Sequence, residues 1–359
     1  MSRQVRVLVT AVGGGGHGEQ ILKALRLAEP GRYHIVAGDA RPNQPQFAMA
    51  DASVVLPSAS DPAYLETLIA LCKTHRIEAL FHGCEPELKL FAANLERLKA
   101  EGLFVPINRP ELIELCMNKE TTNDRLAELG FTPPRSVRIS SKEEGDAIDW
   151  WPAIVKPSVG SGGSANCYIV QSALQFRALV DFLGPTVFDG GFLLQEYVGT
   201  PNDEFTVGVL HDLDGKLINS IAIRRTFGGQ MNVRLKVSNV SARRELGDTL
   251  LVSSGISQGY VGKFSAVTSQ CQEIAAALGS RGPMNIQCRF VDGRVRVFEI
   301  NPRYSGTTSL RALAGYNEPD LMMRYHLLGE DIERNAPFRE VEIVRHLHET
   351  IVGDGPADG

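Results

Sequence analysis

The sequence predicts a multidomain protein of mixed α/β and α+β class, and three stretches carry that reading. Near the N-terminus the valine-rich VRVLVTAV (5–12) runs into Gly13-Gly14-Gly15-Gly16 and then into the helical EQILKALRLAE. That is the strand, glycine turn and helix of a parallel sheet buried on both faces. In the middle, the strand AIVKP leads through a glycine-rich stretch into another strand rather than into a helix. Toward the C-terminus, MNIQCRFV and RVRVFEIN flank Asp292-Gly293, a hairpin signal between two apolar runs.

The elements follow in order. HIVAGD (34–39), ASVVLP (52–57) and EALFHG (78–83) read as further strands. DPAYLETLIALCKTHR (61–76) reads as a helix with Asp61 as N-cap and Pro62 at the first helical position. Residues 1–115 are therefore expected to form a doubly wound domain, with helices in 108–130 leaving it. From 131 onward FTPPRSVRI and WWPAIVKPSVGSGGSANCYIV break into short β segments, with SALQFRALVDFLG (172–184) as a helix. This predicts a small lobe over 116–190. A larger lobe over 191–350 is expected to hold FLLQEYV, EFTVGVLH, GKLINSIAIRRT, MNIQCRFV and RVRVFEIN as strands, and TSQCQEIAAALGSRG and PDLMMRYHLLGED as helices. Within it, 226–268 follows no clear pattern and reads as a substrate lid, and 351–359 reads as a disordered tail.

Composition narrows the class. The 359 residues are 43% hydrophobic and 22% charged, ordinary globular usage that excludes a disordered, fibrous or coiled-coil protein. A formal charge of −5 supplies no general attraction to nucleic acid or an anionic membrane, so neither is an expected partner. The six cysteines form no CxxC pair, and no apolar run approaches the ~18 residues of a membrane span. A cytoplasmic protein with reduced thiols is the expectation.

Three clusters carry chemistry. Gly13, Gly15 and Gly18 have GxGxxG spacing, with Asp39 near the place of the ribose acid, so an NAD(P)-binding oxidoreductase is one reading. The other is a tight turn whose helix N-terminus faces a substrate anion, which makes Gly15 a candidate substrate contact. The loop Ser158–Ser164, with Gly160, Gly162 and Gly163, follows Lys156 on its strand. It lacks the GxxxxGK[ST] of a P-loop, and a glycine-rich hairpin over a lysine is the alternative cover for nucleoside triphosphates. In the third cluster, alternation puts Glu299 and Asn301 on one strand face, and the Asp292-Gly293 hairpin brings Gln287 opposite Glu299. Oxygen donors that leave room for phosphate oxygens suit Mg²⁺.

With these motifs the chain resembles an ATP-grasp carboxylate–amine ligase, similar to one ATP-binding half of the carbamoyl-phosphate synthase large subunit. The resemblance runs over about 1–335, strongest in NIQCRFVDGRVRVFEINPRYSG and FLLQEYVGTPNDEFTVGVL. It implies a pre-ATP-grasp Rossmann-like domain followed by a two-lobed ATP-grasp fold. It further implies that Lys119 and Lys156 contact ATP phosphates under a loop containing Ser158, Gly160, Ser161, Gly162 and Gly163. Glu196 and Val198 would meet adenine, and Glu204 the ribose. Gln287, Glu299 and Asn301 would hold Mg²⁺, with Mn²⁺ as a substitute. Arg303 would face the transferring phosphoryl group, with one of Arg224 and Arg225 beside it, and Glu85 would bind substrate.

The implied reaction joins a small-molecule carboxylate to an amine, or to a thiol, through an acyl phosphate, releasing ADP and phosphate. A carboxylate kinase that releases the acyl phosphate is the alternative within the family. The family also implies a homodimer. One nucleotide unit and no glutaminase triad make carbamoyl phosphate a poor product for this chain.

Overall fold

The computed structural model describes residues 3–160, 164–189, 191–229 and 231–351. The expected tail beyond Ile351 lies outside them. So do Ser161, Gly162 and Gly163.

The N-terminal domain is built from β1 (Val5–Val9), α1 (His17–Arg26), β2 (Tyr33–Asp39), β3 (Ala52–Val55), α2 (Tyr64–His75), β4 (Ala79–Phe81), α3 (Glu85–Ala93) and α4 (Leu95–Ala100). Its sheet has the order β3-β2-β1-β4 with all pairings parallel. The near-continuous apolar strands are explained by two cores. Val7, Val9 and Ile35 pack on Ile21 and Leu22 of α1, while Leu8, Val36 and Leu80 pack on Leu65 and Leu68 of α2. Truncating Leu68, which is fully buried, to alanine would cost about 2–5 kcal/mol. The helix expected from Asp61 starts at Tyr64 instead: the Asp61 carboxylate accepts from Ala63 N at 2.8 Å, closing a turn around Pro62 before the helix begins.

Helices α5 (Pro110–Met117) and α6 (Lys119–Glu128) lead out of this domain. Asn118 caps α6 by accepting from Glu120 N, and Lys119 N donates to Ser158 O at 2.9 Å, tying the helix start to the glycine-rich loop.

The small lobe contains β5 (Ser136–Arg138), β6 (Ala153–Pro157), β7 (Tyr168–Val170), α7 (Ala173–Leu183) and β8 (Phe192–Glu196) in an antiparallel sheet of order β5-β8-β6-β7. Residues 192–196, expected in the large lobe, are thus a central strand of the small one. Two-sided pairing explains the difference: Leu194 is opposite both Val137 and Val155. The chain crosses between lobes at 197–203.

The large lobe follows with β9 (Glu204–His211), β10 (Leu217–Arg225), β11 (Val233–Ser238), β12 (Thr249–Ser253), β13 (Gly259–Gly262), α8 (Ser265–Ala277), β14 (Pro283–Val291), β15 (Arg294–Asn301), α9 (Thr308–Leu313), α10 (Glu318–Met322) and β16 (Val341–Ile343). Its main sheet has the order β15-β14-β9-β10-β13-β16, with β11 and β12 as a separate hairpin. The segment expected as a lid therefore divides. The hairpin stands over the cleft, but 259–262 is a strand of the main sheet and α8 already begins at Ser265. Helix α8 packs Cys271 and Ile274 against Val207 and Ile286.

After β16 the chain passes close to three other segments. Arg345 donates from Nε to Ser257 O at 2.9 Å, from Nη1 to Gln20 Oε1 at 3.1 Å, and from Nη2 to Gly306 O. No helix among the described residues is long and apolar enough to cross a membrane.

Candidate functional site

Two clefts meet at Glu299. The first lies between the lobes and is lined by Ile154, Lys156, Glu196, Val198, Leu251, Phe298 and Glu299 among others. The second, of about 650 Å³, is polar and runs from the β14–β15 hairpin to the glycine turn of the N-terminal domain.

In the first cleft apolar side chains from three elements face one another. Ile154 comes from β6, Leu251 from β12 and Phe298 from β15. At one end Lys156, on the central strand β6, is buried, and its Nζ donates to Gln195 Oε1 at 2.7 Å and to Phe298 O at 2.9 Å. Burial lowers its pKa to about 8, and the neighbouring positive charge of Lys119 pushes the same way. Lys119 lines the same cleft from the start of α6.

At the hinge the side chain of Glu196 turns to a set of arginines: Arg135 at 3.1 Å, Arg243 at 3.1 Å and Arg296 at 3.9 Å. Burial would raise its pKa, but Arg135 and Arg243 hold it below the usual carboxylate value. Val198 O accepts from Arg289 Nη1 at 3.0 Å.

Glu204 is 2% exposed and lies between two buried arginines, Arg225 at 3.1 Å and Arg289 at 3.2 Å. Arg289, which the sequence analysis did not single out, also lies over the Tyr197 ring at 4.4 Å. It sits 85 residues from Glu204 and meets it only because β14 pairs with β9. Strand alternation separates the two arginines of β10. Arg225 points inward, whereas Arg224 is exposed and lies over Phe264.

The hairpin places Gln287 directly opposite Glu299, and Gln287 Nε2 donates to Glu299 Oε2 at 3.1 Å. Asn301 lies two residues further along β15, and its Oδ1 accepts from Arg303 Nη2 at 3.1 Å. All four line the second cavity. One carboxylate and two amide oxygens on one sheet face fit a hard divalent cation that completes its shell with phosphate oxygens and water. A carbonyl oxygen has two lone pairs, so Asn301 can serve Arg303 and a cation together.

Across the cavity stand Gly14, Gly15, Gly16, His17, Cys84 and Glu85. Gly14 and Gly15 both have positive φ, which a Cβ would strain. Asp39 holds this turn by accepting from Gly13 N at 2.9 Å, from Arg41 N and from Gln44 Nε2. Those bonds occupy the carboxylate that a dinucleotide ribose would need. Glu85 meets Arg303 at 3.2 Å, joining the N-terminal domain to the hairpin. The buried Glu87, accepting from Thr10 Oγ1, Tyr64 Oη and Gly83 N, fixes the turn that presents Glu85.

His17 and His82 lie behind the glycine turn with ring nitrogens 3.3 Å apart. Both are buried. Desolvation, then the positive charge of Arg303, lowers the pKa of His82 to about 3 and that of His17 well below its usual value. Cys84 is no thiolate, since burial and the Glu87 carboxylate push its thiol up to about 12.

The structure therefore gathers Lys119, Lys156, Glu196, Val198, Glu204 and Glu299 at the first cleft, and Gly15, Glu85, Gln287, Glu299, Asn301 and Arg303 at the second. Gly160 lines a small adjoining space with Lys119, Glu299 and Arg303. Ser158 is buried at the root of the loop. Arg225 lines neither cleft, but its Nη2 donates to Ser254 O at 2.9 Å and so fixes a residue of the second cavity wall. His17, Gln195 and Arg289 went unread because no spacing rule links them to the motifs.

Comparison with known proteins agrees with this architecture. Residues 7–107 match the PylC-like N-terminal domain family, and residues 190–350 match the family of ATP-grasp domains in the biosynthetic pathway with the Ter operon. The carbamoyl phosphate synthase large chain of Vibrio cholerae is 26% identical over 290 residues, covering 78% of this chain and 25% of that one. The chain thus spans about a quarter of that relative's length. Among solved structures, N5-carboxyaminoimidazole synthetase from Staphylococcus aureus, complexed with ADP, superposes with a TM-score of 0.64 at 15% identity, covering 94% of this chain and 81% of that one. The L-amino acid ligase of Bacillus licheniformis gives 0.61 at 17% identity, covering 91% and 75%. The chain thus carries a match to the ATP-grasp family over residues 190–350, behind a PylC-like N-terminal domain over 7–107, and shares the fold of these ligases.

Proposed function

We propose that this chain is an ADP-forming ligase that joins a small-molecule carboxylate to an amine through an acyl phosphate. One observation carries the reading: Glu299, flanked by Gln287 and Asn301, lines both an apolar cleft beside Lys156 and a polar cavity walled by Gly15, Glu85 and Arg303. A nucleotide in the first would direct its terminal phosphate toward a carboxylate in the second.

The adenine would lie between Ile154, Val198 and Leu251, with the Glu196–Val198 backbone at its edge. Lys119 and Lys156 offset the phosphate charge, and Gly160 adjoins Lys119 beside Glu299. Gln287, Glu299 and Asn301 would hold Mg²⁺, which neutralises charge on the phosphate oxygens when bound. Arg303 holds the carboxylate in line with the γ-phosphorus and, paired with Glu85, closes the cavity on the N-terminal side. Attack by the carboxylate oxygen breaks the bond to the β,γ-bridging oxygen, forming the acyl phosphate and ADP. The amine then attacks the acyl carbon, the bond to the phosphate oxygen breaks, and the released phosphate takes up the proton that the amine loses as the amide forms. Exclusion of water by the β11–β12 hairpin, whose Leu251, Val252 and Ser253 line the first cleft, protects the acyl phosphate between these steps.

The test is product analysis with mixed carboxylates and amines in the presence of ATP and Mg²⁺. ADP and phosphate, formed only when an amine is present, are the expected products. AMP and pyrophosphate would sink the acyl-phosphate route, and ADP release without any amine would make the protein a carboxylate kinase.

A further inference from the structure

We infer that the buried ion pair Arg311–Glu318 is a positioning dyad that turns the side-chain amide nitrogen of Asn285 toward the cavity, where it donates a hydrogen bond to an anionic oxygen beside Gln287, Glu299 and Asn301. The inference rests on the ATP-dependent reading above and adds a donor to that site.

Arg311 and Glu318 are each 1% exposed. Arg311 Nη1 lies 3.2 and 3.1 Å from the two Glu318 oxygens, and its Nη2 lies 2.6 Å from Asn285 Oδ1. A guanidinium has donors and no acceptor, so the amide atom that faces it must be the oxygen. Thr206 Oγ1 lies 2.8 Å from the same oxygen, and two donors saturate its lone pairs. The amide cannot turn over without setting its NH₂ against a buried cation.

Asn285 Nδ2, in contrast, makes no hydrogen bond to any described residue, and Asn285 lines the 650 Å³ cavity. Register places it on the working face, since it pairs with Asn301 and lies two residues before Gln287. What it offers there is a fixed N–H pair, which repels a metal cation and attracts an anion. Asn285 is therefore separate from the cation donors, and its partner is an oxygen of the phosphoryl group in transit.

The strand opposite is built to admit the dyad. Asn285 pairs on its other side with Gly208 of β9, where a Cβ would overlap the Arg311 guanidinium. A buried ion pair loses much of its attraction to desolvation and is a poor stabilising device. Its effect here is orientation.

The experiment is calorimetric titration of the full chain with Mg²⁺ complexes of ADP and of the β,γ-imido analogue of ATP. Asn285→Asp keeps an acceptor for Arg311 and Thr206 but deletes the donor. It is expected to weaken the imido analogue by about tenfold or more while changing ADP by less than about threefold. The pair Arg311→Met with Glu318→Leu removes both buried charges, adds none near the cavity and lets the amide rotate. It is expected to weaken the imido analogue selectively as well, and Asn285→Asp should add less in that background than in the wild type. Equal losses for both nucleotides, or none, in variants that keep the wild-type thermal transition overturn the assignment and leave Arg311–Glu318 as packing. A wild-type chain that binds neither nucleotide overturns the nucleotide reading itself, a failure visible before any variant is made.

Discussion

The ammonium of Lys156, in the small lobe, donates to the carbonyl oxygen of Phe298, in the large lobe, at 2.9 Å. A single buried cation thus spans the cleft one residue from Glu299, and burial brings its pKa down to about 8. Below pH 8 free and bound protein both keep this proton, so nucleotide affinity does not depend on it. Above pH 8 the free protein has lost the proton and binding must restore it. The affinity for MgADP is expected to fall by up to about tenfold per pH unit above 8, with measurable proton uptake. Calorimetry between pH 7 and 9.5 in buffers of different ionisation enthalpy checks this, and Lys156→Met should bind weakly with no slope.

Glu299 faces both clefts and takes a hydrogen bond from Gln287 at 3.1 Å. Glu299→Gln preserves the shape and removes the one negative charge of the cation site. Release of ADP is expected to drop to background while the thermal transition stays near that of the wild type. Near-normal turnover in this variant would remove Glu299 from its proposed role.

The pair His17 and His82 makes acid stability a second pH-dependent property. A histidine near its ordinary pKa of 6.5 in the unfolded chain takes up a proton as pH falls, whereas buried His82 does not until about pH 3. The unfolded state therefore binds more protons throughout that window. Stability contributed by neutral His82 is complete above 6.5 and is lost toward pH 3, at up to about 1.4 kcal/mol per pH unit. His17, shifted in the same direction, adds to the slope. Urea unfolding between pH 7 and 5 should show a shallower pH dependence in His82→Gln than in the wild type.

Glu204 holds Arg225 and Arg289 together in a buried cluster. Glu204→Ala leaves two guanidinium groups without their carboxylate, and removal of one member of a buried ion cluster costs about 3–5 kcal/mol. The urea midpoint should fall accordingly. A shift under about 1 kcal/mol would show that water reaches the arginines.

Much of this was legible in the sequence for a local reason. Strands 204–211 and 294–301 begin and end where the apolar pattern does, and the turn Asp292-Gly293 sets the register as far as Cys288 with Val297; a bulge beyond it, which no local pattern announces, brings Gln287 opposite Glu299. The glycine turn at 13–16 was also readable, because positive φ at Gly14 and Gly15 selects for glycine. Legibility stopped where sequence neighbours part in space. Phe192–Glu196 reads like the strands after it, and only its two-sided pairing assigns it to the small lobe. The contact of Glu204 with Arg289 and that of Glu85 with Arg303 span 85 and 218 residues, so no local pattern announces them. Nor does EFTVGVLH announce that the missing Cβ of Gly208 leaves room for the Arg311 guanidinium.

Arg345 grips two of its three neighbours through main-chain oxygens, those of Ser257 and Gly306. Every amino acid carries such an oxygen, so the side chains at 257 and 306 can change without loosening the grip. Residues 254–257 and 305–307 both face the cavity that would hold the carboxylate. Closure and selectivity are therefore written in different atoms. Libraries randomised at 254, 256, 257 and 305 would sample new substrates on an unchanged enclosure.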